Sequence, residues 1–153
     1  MTYIATIIDG FTRWVELYAL PDATAETAAR LGLLDWVGRF GVPLQIMTDG
    51  GTQFANELWD QLSILMGTKK LESFPYSHEE NGLVERANKE VMRHLRNIIF
   101  DSKLQYSDWS TYIPMVQRIM NGHPIGATKI TPAQLLFGNA VSLNDRILSL
   151  IHI

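Results

Sequence analysis

"YIATIIDGFTRWVELYAL", residues 3–20, decides how this chain begins to fold. Tyr3 to Asp9 is apolar and β-branched with no helical period, which reads as a buried strand. Arg13 to Leu20 alternates loosely and is rich in Val, Leu and aromatic residues, so it reads as a second strand. Gly10, Phe11 and Thr12 between them suit a tight hairpin. Pro21-Asp22 closes the unit. The stretch also places one carboxylate, Asp9, at the end of an apolar run.

Outward from the hairpin, Thr24 to Gly41 carries Ala25, Ala28, Leu31, Leu34 and Val37 at helical spacing. Thr24, with Glu26 and Thr27 nearby, looks like the start of that helix and Gly41 like its stop. Pro43 to Asp49 reads as a short strand running into "GGTQF". Ala55 to Gly67 reads as an amphipathic helix with Leu58, Leu62 and Leu65 on one face. Lys69 to Pro75 reads as a strand, and Tyr76 to Gly82 as a polar loop. Leu83 to Phe100 is a long helix with Val84, Val91, Leu95 and Ile98 as its buried stripe. Ser107 to Asn121 is a further helix, with Pro114 at a kink or in the first turn. Thr131 to Gly138 is a compact helix with Thr131 as N-cap, Pro132 at the first position and Gly138 as C-cap. The order of elements predicts an α/β layered domain with a mixed sheet. Trp14, Trp36, Trp59 and Trp109 fall in apolar-periodic segments and are expected in the core or at an interface.

The chain has 153 residues, 46% of them hydrophobic and 19% charged, with a net charge of −3 and no cysteine. That suits one domain with a real core and excludes disulfides and thiolate metal sites. No apolar run reaches the length of a membrane span, and no signal peptide is visible in these residues. The negative net charge counts against nucleic-acid binding by the chain as a whole. His78, His94, His123 and His152 have no zinc-ligand spacing.

Two further acids stand apart from Asp9. Asp49 ends a predicted strand and precedes two glycines, and ligands of α/β sheets gather at the carboxyl ends of strands. Glu85 lies in the first turn of a helix, with thirty-five residues between it and Asp49. Two such acids can converge on a hard divalent cation. Equally, an Asp after a strand is a common turn residue and a Glu in a first turn favours the helix dipole. Arg86, Lys89, Arg93 and Arg96 are spaced three or four apart and form one basic stripe beside Glu85, able to bind phosphates despite the net charge.

"TDGGTQF", the gap of thirty-five residues and "NGLVERANKE" resemble the catalytic core of retroviral and LTR-retrotransposon integrases, with a Ty3/gypsy-like flavour. "IIDGFTRWVELYAL" resembles that group's second and third strands, and "HPIGATKITPAQLLFG" its closing helical segment. The resemblance runs from about Tyr3 to about Gly138. It implies a ribonuclease-H-like mixed sheet flanked by helices and a D,D-35-E site binding two Mg²⁺ or Mn²⁺ ions. It implies trimming of element 3′ ends and their transfer into target DNA. Asp49 matches the second acid and Glu85 the third.

The family's first acid lies about fifty residues before the second, whereas thirty-nine residues separate Asp9 from Asp49. Asp9 is therefore expected to be structural, capping backbone amides in its turn. The first strand, with its acid, is expected to be missing through N-terminal truncation, and this piece alone is expected to be inactive. The resemblance makes Asn88 and Lys89 of "ERANKE" candidate DNA contacts, together with Tyr76 and Asn81 of the loop before them. "SHEENG" departs from the commoner "HPQxNG" and adds Glu79 and Glu80 near the DNA path. The implied partners are element-end and target DNA and further copies of the chain, with no membrane, in the nucleus or cytoplasm. Rival readings are a bacterial transposase of the same fold and a domesticated or decayed derivative that only binds DNA or protein.

The core is expected over residues 1–147. "LSLIHI", residues 148–153, does not resemble the family. The codons CTG-TCT-CTT-ATA-CAC-ATC spell it, a string that resembles the mosaic-end adapter of transposase-based sequencing libraries. The last six residues are therefore expected to be a non-native tail.

Overall fold

A computed structural model describes residues 1–44, 46, 48, 51–67, 81–101, 106–126 and 129–138. β1 (Tyr3–Ile8) and β2 (Val15–Leu20) pair antiparallel, with Tyr3 opposite Leu20 and Ile8 opposite Val15. The second strand starts at Val15 rather than Arg13, and the connection spans residues 9–14 rather than three residues. The reason is the turn itself. Arg13 takes φ 64° and donates its N–H to the Asp9 carbonyl at 2.9 Å, while Asp9 N–H reaches the Trp14 carbonyl at 3.0 Å. A residue in the left-handed region cannot continue a pleated strand.

Among the described residues the sheet has these two strands. Of the strand predicted over Pro43–Asp49, residues 43, 44, 46 and 48 are described and none is strand-paired. The strand predicted over Lys69–Pro75, residues 76–80 of the loop predicted over Tyr76–Gly82 and the tail 148–153 lie outside the described residues, while Asn81 and Gly82 of that loop are instead the first residues of the long helix that follows it.

The first helix is continuous from Ala25 to Phe40. α1 (Ala25–Ala28) leads through a π-helical segment (Ala29–Leu33) into α2 (Leu34–Phe40). Thr24 caps it by accepting from Thr27 N–H. Gly41 ends it at φ 87°, its N–H on the Val37 carbonyl. The wider π turn shifts the buried stripe. Ala25, Ala29, Leu33 and Trp36 are buried, and Leu31, expected on that stripe, is exposed. Gly32 sits in the π segment because the helix crosses β2 closely there. A Cβ at this position would lie 3.3 Å from Tyr18 Cδ2 and 3.6 Å from Ile7 Cδ1.

α3 (Gly51–Leu65) starts four residues before the predicted helix. It buries Leu58, Trp59, Leu62 and Ser63, while Leu65 is exposed. Leu65 falls off the stripe set by Leu58 and Leu62 at spacing four, and Met66 packs there instead. α4 (Asn81–Asp101) buries Val91, Leu95 and Ile99. Ile98 is only partly buried against them, and Val84 is half-buried. A 3₁₀ helix (Tyr106–Tyr112) replaces the first part of the helix predicted from Ser107, and α5 (Ile113–Gly122) carries Pro114 in its first turn. There the missing proline N–H costs no helical bond. α6 (Pro132–Phe137) has the predicted caps, with Thr131 and Gln134 forming a full capping box.

Helices cover both faces of the hairpin. Val15 and Leu17, alternate residues on one face of β2, pack against Val91, Leu95 and Ile99 of α4 and Ile113 and Val116 of α5. A second cluster joins Ala25, Ala29 and Leu33 to Leu58, Trp59 and Leu62. A third joins Trp14 and Trp36 to Ala133. Each fully buried aliphatic side chain contributes on the order of 1.5–3 kcal/mol. Trp109 is half-buried against the first cluster, so all four tryptophans pack rather than face solvent.

The outer edge of β2 is closed by α5. Asn121, fully buried, accepts Val15 N–H at 2.8 Å and donates to the Val15 carbonyl at 2.7 Å. One turn earlier, Gln117 accepts Leu17 N–H at 2.9 Å. These side chains complete the backbone pairing that an edge strand otherwise leaves open. Among the described residues no helix is long and apolar enough to cross a membrane.

Candidate nucleic-acid and metal site

α4 presents the candidate site because its two faces differ so sharply. Val91, Leu95 and Ile99 fix one face on the hairpin. Glu85, Arg86, Lys89, Arg93 and Arg96 are all exposed on the remainder of the surface. Side chains of a helix lean toward its N-terminus. Arg86 follows this rule, its Nε donating to the Gly82 carbonyl at 3.0 Å. The guanidinium thus folds back over the first turn beside Gly82. Arg93 is paired with Glu90, one turn away. Lys89 and Arg96 make no hydrogen bond or ion pair with any described residue. The local surface is therefore basic although the chain is not.

Glu85 is exposed in the first turns of α4 and likewise makes no hydrogen bond or ion pair with a described residue. Its carboxylate oxygens are open to solvent and to a ligand. Asn88 is half-buried and Lys89 exposed on the same helix. Asn81 is the first residue of α4. Asp49 and Tyr76 lie outside the described residues, so the structure places Glu85, Asn88 and Lys89 together and leaves Asp49 and Tyr76 unplaced. Among the described residues no three His, Asp or Glu side chains close around one point.

Asp9 has a defined local environment. Its Oδ2 accepts Thr12 N–H at 2.7 Å and Thr12 Oγ1–H at 2.7 Å. Thr12 Oγ1 in turn accepts Trp14 N–H at 3.2 Å. This is an Asx-type turn in which one carboxylate oxygen replaces a backbone acceptor.

Beside the hairpin lies a buried polar cluster that periodicity alone did not reveal. Glu16 is 2% exposed. It accepts from Trp14 Nε1 at 2.6 Å, from Arg39 at 2.8 and 3.1 Å, and from Gln117 Nε2 at 2.7 Å. Arg39 also donates to Tyr18 Oη at 2.7 Å and pairs with Asp35. Tyr18 donates to Asp35 at 2.8 Å. Burial, then the Asp35 and Glu16 carboxylates, push the Tyr18 hydroxyl well above its ordinary range. The cluster ties β2 to α2 and α5. Its only sequence signal is an acid within a strand that otherwise reads as apolar.

No family model matches the chain. The Gag-Pol polyprotein of feline leukemia virus is 26% identical over 136 residues, covering 89% of this chain and 8% of that protein. The Pro-Pol polyprotein of simian foamy virus type 3 is 29% identical over 136 residues, covering 89% of this chain and 12% of that protein. The chain thus spans only 8–12% of the length of these curated relatives. Among solved structures, the HTLV-2 integrase catalytic core domain in complex with magnesium superposes with a TM-score of 0.62 and 21% identity. It covers 86% of this chain and 82% of that one. The catalytic core domain of BIV integrase gives 0.61 and 22%, over 86% and 83% of the two chains. The chain is a homologue of a segment of retroviral Pol polyproteins, with the ribonuclease-H-like fold of retroviral integrase catalytic cores.

Proposed function

We propose that this chain is the larger part of the catalytic core of an integrase, a polynucleotidyl transferase that trims element 3′ ends and joins them to target DNA. The observation that carries the proposal is the exposed face of α4. Glu85 stands in its first turns with Arg86, Lys89, Arg93 and Arg96 running away from it, on a segment homologous to retroviral Pol.

The donor set fits a hard cation. Glu85 offers a solvent-open carboxylate, and Asp49 would add a second, so all protein donors are oxygens, as Mg²⁺ and Mn²⁺ prefer. Bound there, such ions would stabilise the attacking and leaving oxygens of an in-line displacement at phosphorus. Glu85 and Asp49 would hold the ions. Lys89 and the guanidinium of Arg86 neutralise and orient the phosphate backbone, and Asn88, Asn81 and Tyr76 contact the DNA end. Asp9 stays in its turn, since chelation would take its oxygen from both Thr12 donors. The first acid of the site then comes from another part of a longer parent protein, and this chain alone does not complete the chemistry. Further copies of the chain and both DNA partners belong to the working assembly, in the cytoplasm and nucleus.

The test has two arms. For the chain itself, DNA affinity is measured against salt. Three to four phosphate contacts give a slope of log K on log salt of roughly −2.7 to −3.6, and Lys89→Ala and Arg96→Ala each shallow it by about one contact. For the longer parent, Glu85→Gln retains DNA binding and loses end joining. Full joining activity in Glu85→Gln would overturn the assignment of the site. A slope near zero would overturn the assignment of the DNA face.

A further inference from the structure

His94 and His123 are twenty-nine positions apart in sequence, yet their rings face each other in the fold. His94 lies on α4, one turn beyond Glu90, and His123 immediately follows α5. Their ring centroids are 6.2 Å apart with the planes tilted by 38°. His94 Nε2 lies 3.9 Å from Glu90 Oε2. We propose that His94 and His123 form a two-imidazole site for a borderline divalent transition-metal ion of the zinc class, with water completing the shell.

Three observations support this. First, the spacing is close to that of two rings on one ion. A Zn–N bond is about 2.0–2.1 Å, and the ring centre lies roughly 1 Å beyond the nitrogen, so two coordinated rings have centroids about 5–6 Å apart. The pair needs only a small rotation inward. His123 is exposed and the His94 side chain is 21% exposed, so the space for that rotation exists. Second, His123 is already oriented as a ligand. Its Nδ1 lies 2.7 Å from the Ile119 carbonyl. A carbonyl only accepts, so Nδ1 carries a proton, and in the neutral ring Nε2 is the nitrogen that keeps its lone pair. This is the outer hydrogen bond that metal-binding imidazoles commonly make. Third, the surroundings of His94 disfavour its charged form. Burial and the charge of Arg93, with His123, hold its pKa below the ordinary value against the opposing pull of Glu90.

The ligand set selects the ion. Two imidazole nitrogens suit Zn²⁺, Ni²⁺ or Cu²⁺ and disfavour Mg²⁺, which takes oxygen donors and keeps its waters. The site is thus distinct in chemistry from the carboxylate pair proposed above. It does not depend on that reading. It clamps the middle of α4 to the end of α5, the two helices that cover one face of the hairpin.

The test is calorimetric titration of the whole chain with Zn²⁺ alone and with Mg²⁺ alone, alongside proton NMR of the histidine ring C2 resonances. One equivalent of Zn²⁺ is expected to bind, to move the His94 and His123 resonances together and to raise the melting temperature. His94→Gln and His123→Gln should each weaken binding at least ~10-fold, while a His78→Gln, His152→Gln double variant binds as the wild type. His123 is exposed and carries no core contact, so its variant keeps the test decisive if His94→Gln folds poorly. Absence of saturable Zn²⁺ binding, wild-type affinity in His123→Gln, or loss of binding in the His78/His152 double variant would each overturn the proposal.

Discussion

The buried carboxylate of Glu16 offers the sharpest test of how the helices are held to the hairpin. Glu16→Gln keeps the size of the side chain and removes its charge. Oε1 can still accept from Trp14 and Arg39. The amide nitrogen that replaces Oε2, however, meets two donors, Arg39 Nη2 at 3.1 Å and Gln117 Nε2 at 2.7 Å. Gln117 cannot answer by flipping its amide without losing its bond to Leu17 N–H. Removing one partner of a buried charged pair costs about 3–5 kcal/mol. For a chain of this size each kcal/mol lowers the melting temperature by about 2–4 °C, so a fall of roughly 6–20 °C is expected. Arg39→Met should cost less, about 1–3 kcal/mol. The Arg39 side chain is 42% exposed, and Trp14 and Gln117 remain as donors to the carboxylate. Urea unfolding followed by tryptophan fluorescence and circular dichroism measures both. If Glu16→Gln costs under ~1 kcal/mol, or less than Arg39→Met, the carboxylate is not the centre of this network and the reasoning fails.

Other substitutions probe the remaining joints. Asn121→Leu leaves Val15 N–H and C=O buried without their partners and should cost about 1–3 kcal/mol for each group, read by equilibrium unfolding. Gly32→Val places a branched side chain where a single Cβ already meets Tyr18 at 3.3 Å and should destabilise by about 1–3 kcal/mol. Gly32→Ala should be close to neutral, since gained helix propensity of up to ~1 kcal/mol offsets the contact. His94 gives a pH dependence whose sign is fixed. Its pKa is lowered in the fold from 6.5, so the unfolded chain binds that proton first, and stability falls as pH drops below the unfolded value. In wild-type His94 without added metal this slope is present, and in His94→Gln its share is absent; equal slopes would refute the account. Removing residues 148–153 should leave the melting temperature unchanged if they are a non-native tail.

Element types were legible in the sequence wherever local chemistry decided them. The Thr131–Pro132–Gln134 start and Gly138 stop of α6 are written in adjacent residues, and the helix forms between them. Thr24 and Gly41 bound the first helical stretch for the same reason. What periodicity missed depends on partners far away in the chain. Leu31 has the right spacing for a regular helix, but the π segment around Gly32 moves it to the surface. That segment lies where the helix crosses the Tyr18 ring, a contact between residues fourteen positions apart. Gln117 and Asn121 read as ordinary polar residues on an amphipathic helix. Only the position of α5 beside the edge of β2 turns them into substitutes for a neighbouring strand.

The candidate site was legible to a different degree at each acid, and the reason is geometric. Glu85 is named by its neighbours in sequence, because "NGLVERANKE" fixes a helix start and the basic stripe that follows it. The fold then leaves that carboxylate open. Asp9 shares the simplest description of a ligand, an acid at the end of an apolar strand. What distinguishes it stands three residues later. Thr12 supplies both an N–H and an O–H to the same oxygen, so D-G-F-T is a turn motif as written. Two donors at 2.7 Å already satisfy that oxygen, and Trp14, held through Thr12 Oγ1, anchors the turn to the Trp36 and Ala133 cluster. Drawing Asp9 onto a cation would release Thr12 and loosen Trp14 together. Thr12→Ala separates the alternatives. If Asp9 serves the turn, the change lowers stability and leaves metal-dependent chemistry of the longer parent intact; if Asp9 is a ligand, loss of the competing hydroxyl donor should strengthen metal binding instead.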